Sequence, residues 1–348
     1  MDPEALDQYL TLRIIAPPRS MFKQIKKLPP AHRLSFSADS GLHISQYWDL
    51  SFEPKLSGSD DELVDQLEDE IIQALKLHMV SDVPVGAFLS GGMDSTLVVS
   101  MLMKHVSGEP IDTFTMGLPY GNYNEAPFAR MVAEQYGTRH HEQVLTPSLT
   151  DNLPDLVEHL DEPSDPLSVC TYLISRTASQ HVKVVLGGDG GDELFGGYDR
   201  YYGYKYAGYY ALIPSVIRRY GIGAVLNLMP DGGWYKSKAH QLKWLHSLSF
   251  MKGSRRYSRS LSYFYFGPDW RSRLYGVTMN RAVSGFEPEE AIWQPFDTAK
   301  ASDPIDRMLN ADSMVRLPDH PVMISDRMTM ANSLEVRSPL MDHKVAEF

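Results

Sequence analysis

Short apolar segments alternate with helical patterns between residues 60 and 186, and this alternation most constrains the fold. Residues 60–80 carry a large apolar side chain at every fourth position with charged residues between, as in an amphipathic helix. Short, mainly apolar runs then occupy residues 83–89, 112–116, 140–145 and 183–186, with helical sequence between them. Strands and helices that alternate at this spacing predict an α/β fold, a parallel sheet with helices on both faces.

The two ends of the chain have a different character. The first 55 residues combine short apolar runs with two proline pairs, which indicates a connector, although residues 47–52 look like a strand. Beyond residue 200 the strand pattern fades, and aromatic and basic helical segments continue to residue 348. We therefore divide the chain into a linker (1–55), an α/β domain (56–200) and a mostly helical extension (201–348).

The composition excludes several classes of protein. Lysine and arginine total 33 against 44 acidic residues, and this net charge of −11 disfavours a dedicated nucleic-acid binder. Cys170 is the single cysteine, so an intrachain disulfide and a cysteine metal cluster are both excluded, as suits a reducing cytoplasm. Because every apolar stretch of about 20 residues is interrupted by prolines or charges, we expect no membrane partner either.

A turn rich in glycine and hydroxyl groups follows the first predicted strand of the sheet. It reads Ser90-Gly91-Gly92-Met93-Asp94-Ser95 and leads into a helix. Glycines let a ligand approach the backbone closely, and free N–H groups at a helix start favour phosphate. The turn has neither the lysine of a Walker A loop nor the third glycine of a dinucleotide fingerprint. Because Asp94 would repel a polyphosphate, its presence predicts a bridging Mg²⁺.

A second turn follows the fourth predicted strand of the sheet. Residues 187–198 contain six glycines and three acidic residues within twelve positions. Acidic groups this close repel one another unless a cation or a shared proton intervenes. Ligands of parallel sheets bind at the carboxyl ends of the strands, where both turns lie. The pattern therefore predicts that Asp192 faces Asp94 and shares its Mg²⁺.

These segments resemble a known family. Residues 90–95 resemble the pyrophosphate loop of the N-type ATP pyrophosphatases, which have an adenine nucleotide alpha hydrolase-like fold. The flanking residues 83–89, the turn at 187–198 and a third segment at 326–343 resemble the glutamine-hydrolysing asparagine synthetases. The resemblance covers nearly the whole chain. It implies an ATP-binding synthetase domain that uses ATP and Mg²⁺.

The resemblance also implies roles for individual residues. Asp94 and Asp192 would hold the metal, and Asp189 would orient ammonia or take its proton. The remaining nucleotide contacts fall into three groups: pyrophosphate at Ser90, Gly91, Gly92, Asp94 and Ser95; adenosine and ribose at Gly187 and Gly188; and adenine at the backbones of Leu89 and Met116.

The third segment supplies candidate cations. Arg327 and Arg337 carry guanidinium forks suited to anions, whereas Met328 and Met330 are expected to be core packing. Family members commonly have a lysine two residues before the Asp-Arg pair, and here that position is Ile324. A missing preorganised cation is worth several kcal/mol of barrier. Another base such as Lys205 or Arg200 would have to replace it, or the substrate differs, or the activity is weak.

The leading hypothesis is therefore a carbon-nitrogen ligase that adenylates the side-chain carboxylate of aspartate and transfers ammonia to it. The ammonia would come from a glutaminase domain, of which residues 1–55 would be a remnant, because no cysteine precedes Cys170 to serve as its nucleophile. We expect a fragment that is short at both ends. Another carboxylate acceptor, such as a sugar or peptide, and a catalytically weak ATP-binding relative remain alternatives. The oligomeric state, including a homodimer, is open.

Overall fold

A computed structural model describes residues 1–119, 124–146, 148–230, 237–261, 271 and 273–348. The strands are β1 (His32–Ser37), β2 (Gly41–Gln46), β3 (Val85–Phe88), β4 (Asp112–Gly117), β5 (Arg139–Val144), β6 (Val184–Leu186) and β7 (Glu335–Arg337). The first helices are α1 (Pro3–Leu12), α2 (Asp60–His78), α3 (Met93–Met101), α4 (Ala126–Tyr136), α5 (Leu149–Leu160), α6 (Ser168–Ala178), α7 (Gly191–Phe195) and α8 (Asp199–Tyr210). The later helices are α9 (Gly223–Leu228), α10 (Lys238–Leu248), α11 (Gly253–Leu261), α12 (Val277–Ala282), α13 (Glu290–Thr298), α14 (Pro304–Ala311), α15 (Met323–Met330) and α16 (His343–Glu347). Short π-helical segments occupy Leu102–Val106, Ile217–Ile222, Asp312–Arg316 and Pro318–Val322, and Pro339–Met341 forms a 3₁₀ turn.

The chain divides into two compact units, and each is built from two separate stretches of sequence. One contains residues 1–53 and 196–316, and we call it the helical unit. The other contains residues 54–195 and 317–348, and we call it the α/β unit. The linear division into 1–55, 56–200 and 201–348 follows the chain order, whereas the last 32 residues return to the α/β unit through α15, β7 and α16.

A five-stranded parallel sheet is the centre of the α/β unit. Its order is β5-β4-β3-β6-β7, and every neighbouring pair is parallel. The predicted parallel sheet with flanking helices is confirmed, and β3 to β6 lie within two residues of the predicted runs. The apolar composition made these strands recognisable, because a parallel strand is buried on both faces. Ala87, Val185 and Leu186 are completely buried.

The order of the strands creates a switch point beside β3. From β3 the chain adds β4 and β5 on one side, and then returns to place β6 on the other. The connections that leave β3 and β6 therefore run in opposite directions and open a crevice at their carboxyl ends. Residues 89–95 and 187–192, the two glycine-rich turns, are the segments that follow these two strands.

Helix α2 shows how local sequence sets the frame of this unit. Ser59 and Glu62 form a reciprocal capping box, and acidic residues fill the first turn. Ile71, Ala74 and Leu75 bury its apolar stripe in the same cluster as Leu89 after β3 and Val99 of α3. Fully burying side chains of this size contributes about 1.5–3 kcal/mol each. The predicted helix at 60–80 is confirmed.

The helical unit contains features that the sequence analysis missed. The connector begins with α1, which Asp2 caps and Pro3 opens, and it continues into the antiparallel β1–β2 hairpin. Residues 47–52 are not a strand, so that expectation was wrong. The mostly helical character beyond residue 200 is correct apart from β7.

Met328 is buried as expected, but Met330 is 56% exposed, because it faces away from the apolar cluster beneath α15. Across the described ranges, every helix is too short or too polar to cross a membrane.

Candidate active site

The turn after β3 is held by its own serine hydroxyls. The Ser95 hydroxyl lies 3.0 Å from that of Ser90 and accepts a hydrogen bond from the Ser90 backbone N–H at 3.2 Å. The Ser90 hydroxyl in turn accepts from the Gly92 N–H at 3.2 Å. Gly91 has a φ of +83°, which glycine adopts without strain, and a Cβ there would lie 2.6 Å from the backbone nitrogen of Ala129. These contacts fix the turn from which α3 begins.

The turn after β6 lies directly against the first turn. A Cβ on Gly188 would be 2.8 Å from the Ser95 backbone nitrogen, and one on Gly191 would be 2.6 and 2.7 Å from the Asp94 carboxylate oxygens. Real Cβ atoms essentially never approach other atoms so closely. Glycine is therefore required at both positions for the two segments to touch. The structure therefore brings the two predicted turns together, and a metal shared by Asp94 and Asp192 stays a prediction.

Three carboxyl groups share this region. Burial raises the pKa of Asp94, and the negative charge of Asp192 raises it further. Burial also raises the pKa of Asp189, and the charge of Asp94 adds to that effect. Hydrogen bonds from Ser325 and Ser338 oppose this increase, because they favour the ionised form of Asp189. Asp94 therefore interacts with both of the other carboxylates.

The two residues predicted to touch adenine lie in different surroundings. Leu89 is buried, its backbone N–H donates to the Phe114 carbonyl at 2.9 Å, and its carbonyl accepts from the Thr115 hydroxyl. Its backbone polar groups are thus bonded to β4 and its neighbours. Met116 is half-buried on β4 and packs against the apolar cluster that contains Leu160. Their contacts with a nucleotide stay predictions.

Both predicted cations bind other groups of the α/β unit. Arg327 pairs with Asp161, just after α5, and donates to the His159 carbonyl at 3.2 Å. Arg337 donates to two carbonyl oxygens at the end of α2, those of His78 and Val80, each at 2.8 Å. Positive groups at helix carboxyl ends satisfy free carbonyls and complement the helix dipole. These contacts stabilise helix ends, and a role of either arginine in anion binding stays a prediction.

Ile324 is part of the protein core. Its side chain is 7% exposed and packs in the cluster formed by Leu156, Leu160, Val169, Leu173 and Met328. Isoleucine here joins α15 to α5 and α6 through apolar contacts. Arg200, one of the bases considered as a replacement cation, is buried in the helical unit and pairs with Asp312. Its guanidinium is already committed to that carboxylate and to packing over the ring of Tyr198.

The sequence analysis missed Ser325 and Ser338, whose hydroxyls hydrogen-bond to Asp189. They flank the Asp326-Arg327 and Arg337 positions of the third segment, but a serine beside a charged residue is too common to signal a site. Both also line a cleft of about 900 Å³ that is bounded by α2, α15 and β7. Only the pairing of β7 with β6 brings Ser338 to the end of the sheet where Asp189 lies.

The donor set near Asp94 can be tested against a magnesium ion. In the described residues, no group of three or more His, Cys, Asp or Glu side chains forms a ready metal cage. Mg²⁺ is usually bound by one or two carboxylates and completed by phosphate oxygens and water. Two mutually repelling carboxylates beside a glycine-rich turn match that pattern; burial raises the pKa of Asp94 most, and the charge of Asp192 adds to this effect.

A parallel sheet with glycine-rich, acidic turns at its switch point is typical of nucleotide-binding α/β proteins. The model of the family described as Asparagine synthase matches residues 66–348, which is most of the chain. This chain belongs to the asparagine synthase family.

Individual relatives agree with this assignment. The chain is 29% identical over 356 residues to asparagine synthetase (glutamine-hydrolyzing) 1 of Bacillus subtilis, with 99% of this chain and 52% of that protein covered. It is 31% identical over 355 residues to a putative asparagine synthetase (glutamine-hydrolyzing) of Mycobacterium bovis, with 99% and 51% covered. The chain thus spans about half the length of these curated relatives.

The solved NMN synthetase of Francisella tularensis is matched at 15% identity with a TM-score of 0.30, over 81% of this chain and 99% of that one.

Proposed function

We propose that this chain activates the side-chain carboxylate of aspartate with ATP and converts it to the amide of asparagine. A carboxylate oxygen attacks the α-phosphorus, the bond to the β-phosphate breaks, and an acyl-adenylate and pyrophosphate form. Ammonia then attacks the acyl carbon, loses a proton, and displaces AMP. The relatives named glutamine-hydrolyzing support a glutaminase domain as the ammonia source, and residues 1–55 as the segment that follows such a domain.

The observation that carries the proposal is the contact between the two glycine-rich turns at the switch point of the sheet. Gly188 and Gly191 press against Ser95 and Asp94 so closely that no side chain would fit between them. The turn at 90–95 would hold the pyrophosphate portion of ATP with backbone N–H groups and the start of α3. Gly187 and Gly188 would leave room for the ribose on the other side.

Asp94 and Asp192 would hold Mg²⁺, whose positive charge would neutralise the triphosphate and the leaving pyrophosphate. Asp189 would accept the proton from ammonia or orient it toward the acyl carbon. A carboxylate whose pKa is raised by burial is a better base than an exposed one. The partial burial of this region would also limit hydrolysis of the adenylate by water.

The metal-site assignment is tested by the exchange of labelled pyrophosphate into ATP in the presence of aspartate. We expect Asp94→Asn to abolish the exchange, because the amide removes one of the two anionic oxygen ligands. Asp82→Asn is the matched control, since Asp82 is exposed in the turn that precedes β3, at the opposite end of the strand. Exchange at an unchanged rate in Asp94→Asn would remove Asp94 from the site.

The burial of Ile324 favours a second candidate, an amidating enzyme of the same build that acts on another carboxylate. The resemblance implies a cation at this position, and a different acceptor or different phosphate contacts would account for an isoleucine there. Pyrophosphate release should be compared across aspartate, acidic sugars and peptides that carry a free carboxylate. Strong release with aspartate alone would eliminate this candidate. ATP binding without release from any acceptor would instead indicate a catalytically weak relative.

A further inference from the structure

The hairpin of β1 and β2 has an apolar face that the described part of the chain leaves exposed. Its register pairs Leu34 with Ile44 and Phe36 with Leu42, and paired side chains of antiparallel strands lie on the same side. The residues between them are polar and lie on the other side. The four apolar side chains are between 45% and 74% exposed, and we call them the hairpin face.

A hairpin with this pattern needs a surface to pack against. Strict alternation of apolar and polar residues is typical of a sheet with one buried face. A two-stranded hairpin by itself is marginally stable in water, whereas packing of its apolar face makes it stable. Within the described ranges, neither strand contains a buried residue. The sequence of the hairpin therefore fits a state in which another surface covers the hairpin face.

The similarity to relatives points to the surface that covers it. The asparagine synthase family model begins at residue 66, after the hairpin. The two curated relatives nevertheless match 99% of this chain, so their similarity includes the hairpin, and about half of each relative lies outside the match. The hairpin thus precedes the family domain and accompanies it in proteins that carry an additional half. We expect the hairpin face to contact that half.

The size of the hairpin face argues against a second copy of this chain as the partner. A specific complex of free proteins buries about 800 Å² on each partner, contributed by about 20–30 residues. The hairpin face consists of four side chains. A domain joined to this chain needs less area, because a short linker holds it at an effective concentration of about millimolar. The hairpin face therefore fits a linked domain better than a free partner.

We propose that the hairpin face is the docking surface for a glutaminase domain joined to the start of this chain. This inference rests on the proposed function, which requires a source of ammonia. The glutaminase domain covers the hairpin face with an apolar surface of its own and orders the hairpin. The contact fixes the position of the ammonia source relative to this chain.

Hydrogen–deuterium exchange of the hairpin provides the first test. The half of Bacillus subtilis asparagine synthetase 1 that this chain does not match is joined ahead of Met1, and its hydrolysis of glutamine confirms that it is folded. Exchange over residues 32–46 is then compared between this fusion and the chain alone. We expect exchange in the fusion to be about tenfold slower, because a covered hairpin opens less often.

Two double variants change opposite sides of the same hairpin. Phe36→Thr with Leu42→Thr removes the more exposed pair of the hairpin face, and threonine keeps a high strand propensity. Ser35→Thr with His43→Thr is the matched control, because this cross-strand pair lies on the other side. In the fusion, the first variant should lose the slower exchange, and the control should retain it.

Three outcomes of this experiment would overturn the docking surface. Equally fast exchange in the fusion and in the chain alone would show that the glutaminase half does not cover the hairpin. Slow exchange in the fusion that carries Phe36→Thr and Leu42→Thr would show that the contact lies elsewhere. Slower exchange of the chain alone at higher concentration, with a doubled mass in light scattering, would assign the hairpin face to a second copy.

Amide formation separates this proposal from the proposed function. In the fusion, Phe36→Thr with Leu42→Thr should lower glutamine-driven amide formation from aspartate about tenfold, because the ammonia source is no longer held in place. Ammonium-driven formation should match that of the control variant, and an equal loss in both reactions would overturn the docking role. A chain that forms no amide from aspartate, ATP and ammonium would refute the proposed function. The exchange experiment would still decide whether the hairpin face is covered.

Discussion

Substituting Gly191 with alanine would test the contact between the two turns most directly. An added Cβ would lie 2.6 and 2.7 Å from the Asp94 carboxylate oxygens, and ordinary contact begins near 3.4 Å. The carboxylate carbon would lie closer still, so the group must retreat by about 1 Å, or rotate to another rotamer. Gly191 begins α7, and its φ is not in the left-handed region, so alanine introduces no backbone strain. The perturbation acts on the position of Asp94.

The expected changes in stability and in activity differ widely. Crowding of a movable side chain costs about 1 kcal/mol, and replacing glycine with alanine in a helix recovers about 0.5–1 kcal/mol. The free energy of unfolding should therefore stay close to that of the wild type. A displacement of this size at a catalytic group can lower the rate by about 100-fold. Urea denaturation and pyrophosphate exchange with aspartate would measure the two quantities on the same preparation.

Gly108→Ala is the matched control, because a Cβ at that exposed position would meet no atom within 4 Å. It should change neither quantity. If Gly191→Ala exchanged pyrophosphate at the wild-type rate while remaining folded, the position of the Asp94 carboxylate would not matter for adenylation. The reasoning that links the two turns to a shared metal would then be wrong.

Two further predictions concern charge in the α/β unit. Ile324→Lys should lower the free energy of unfolding by about 3 kcal/mol in urea denaturation, because it buries an ammonium group among apolar side chains. The control Ile324→Val should lower the free energy of unfolding by only about 1 kcal/mol. Equal stability of the two variants would show that the lysine side chain can reach solvent from this position. The folded-state pKa of Asp94 lies above its ordinary value of 3.8, so the folded chain binds its proton more tightly, and stability falls as pH rises through this window. Without divalent cations, Asp94→Asn should therefore melt at a higher temperature than the wild type at pH 7. At about pH 3 the two proteins should melt at the same temperature. A lower melting temperature of Asp94→Asn at pH 7 would contradict the assigned cause.

Much of the sheet could be predicted because burial on both faces leaves a clear apolar signature. The strand β7 lacks that signature, since two of its three residues, Glu335 and Arg337, are charged and reach the surface or a helix end. The discontinuous units could not be predicted either, because the pairing of β7 with β6 joins residues about 150 positions apart. The hairpin of β1 and β2 alternates apolar and polar residues, but Leu34 and Phe36 are exposed, so its pattern does not mark a core.

The acidic residues of the site were easier to find than its supporting residues. Asp94 and Asp192 stand in glycine-rich turns after apolar strands, and the rule that ligands bind at strand carboxyl ends predicts their neighbourhood. Ser325 and Ser338 carry no comparable pattern, because their contact with Asp189 depends on the return of the chain after residue 317. A motif indicates which residue types are present, whereas packing decides which groups they contact.

Arg327, Arg337 and Ile324 do not offset the negative charge beside Asp94. The raised pKa of Asp94 arises from burial and from Asp192, and no cation of the described chain contributes to it. Arg327 and Arg337 bind helix ends, and Ile324, at the position where the sequence resemblance implies a lysine, packs in the core. Negative charge concentrated beside the turn at 90–95 is destabilising unless a cation compensates it. This charge lowers the free energy of unfolding of the free protein. A bound metal-nucleotide complex would relieve the repulsion, and this relief would favour its binding. Removing the charge should therefore stabilise the fold and abolish the chemistry together.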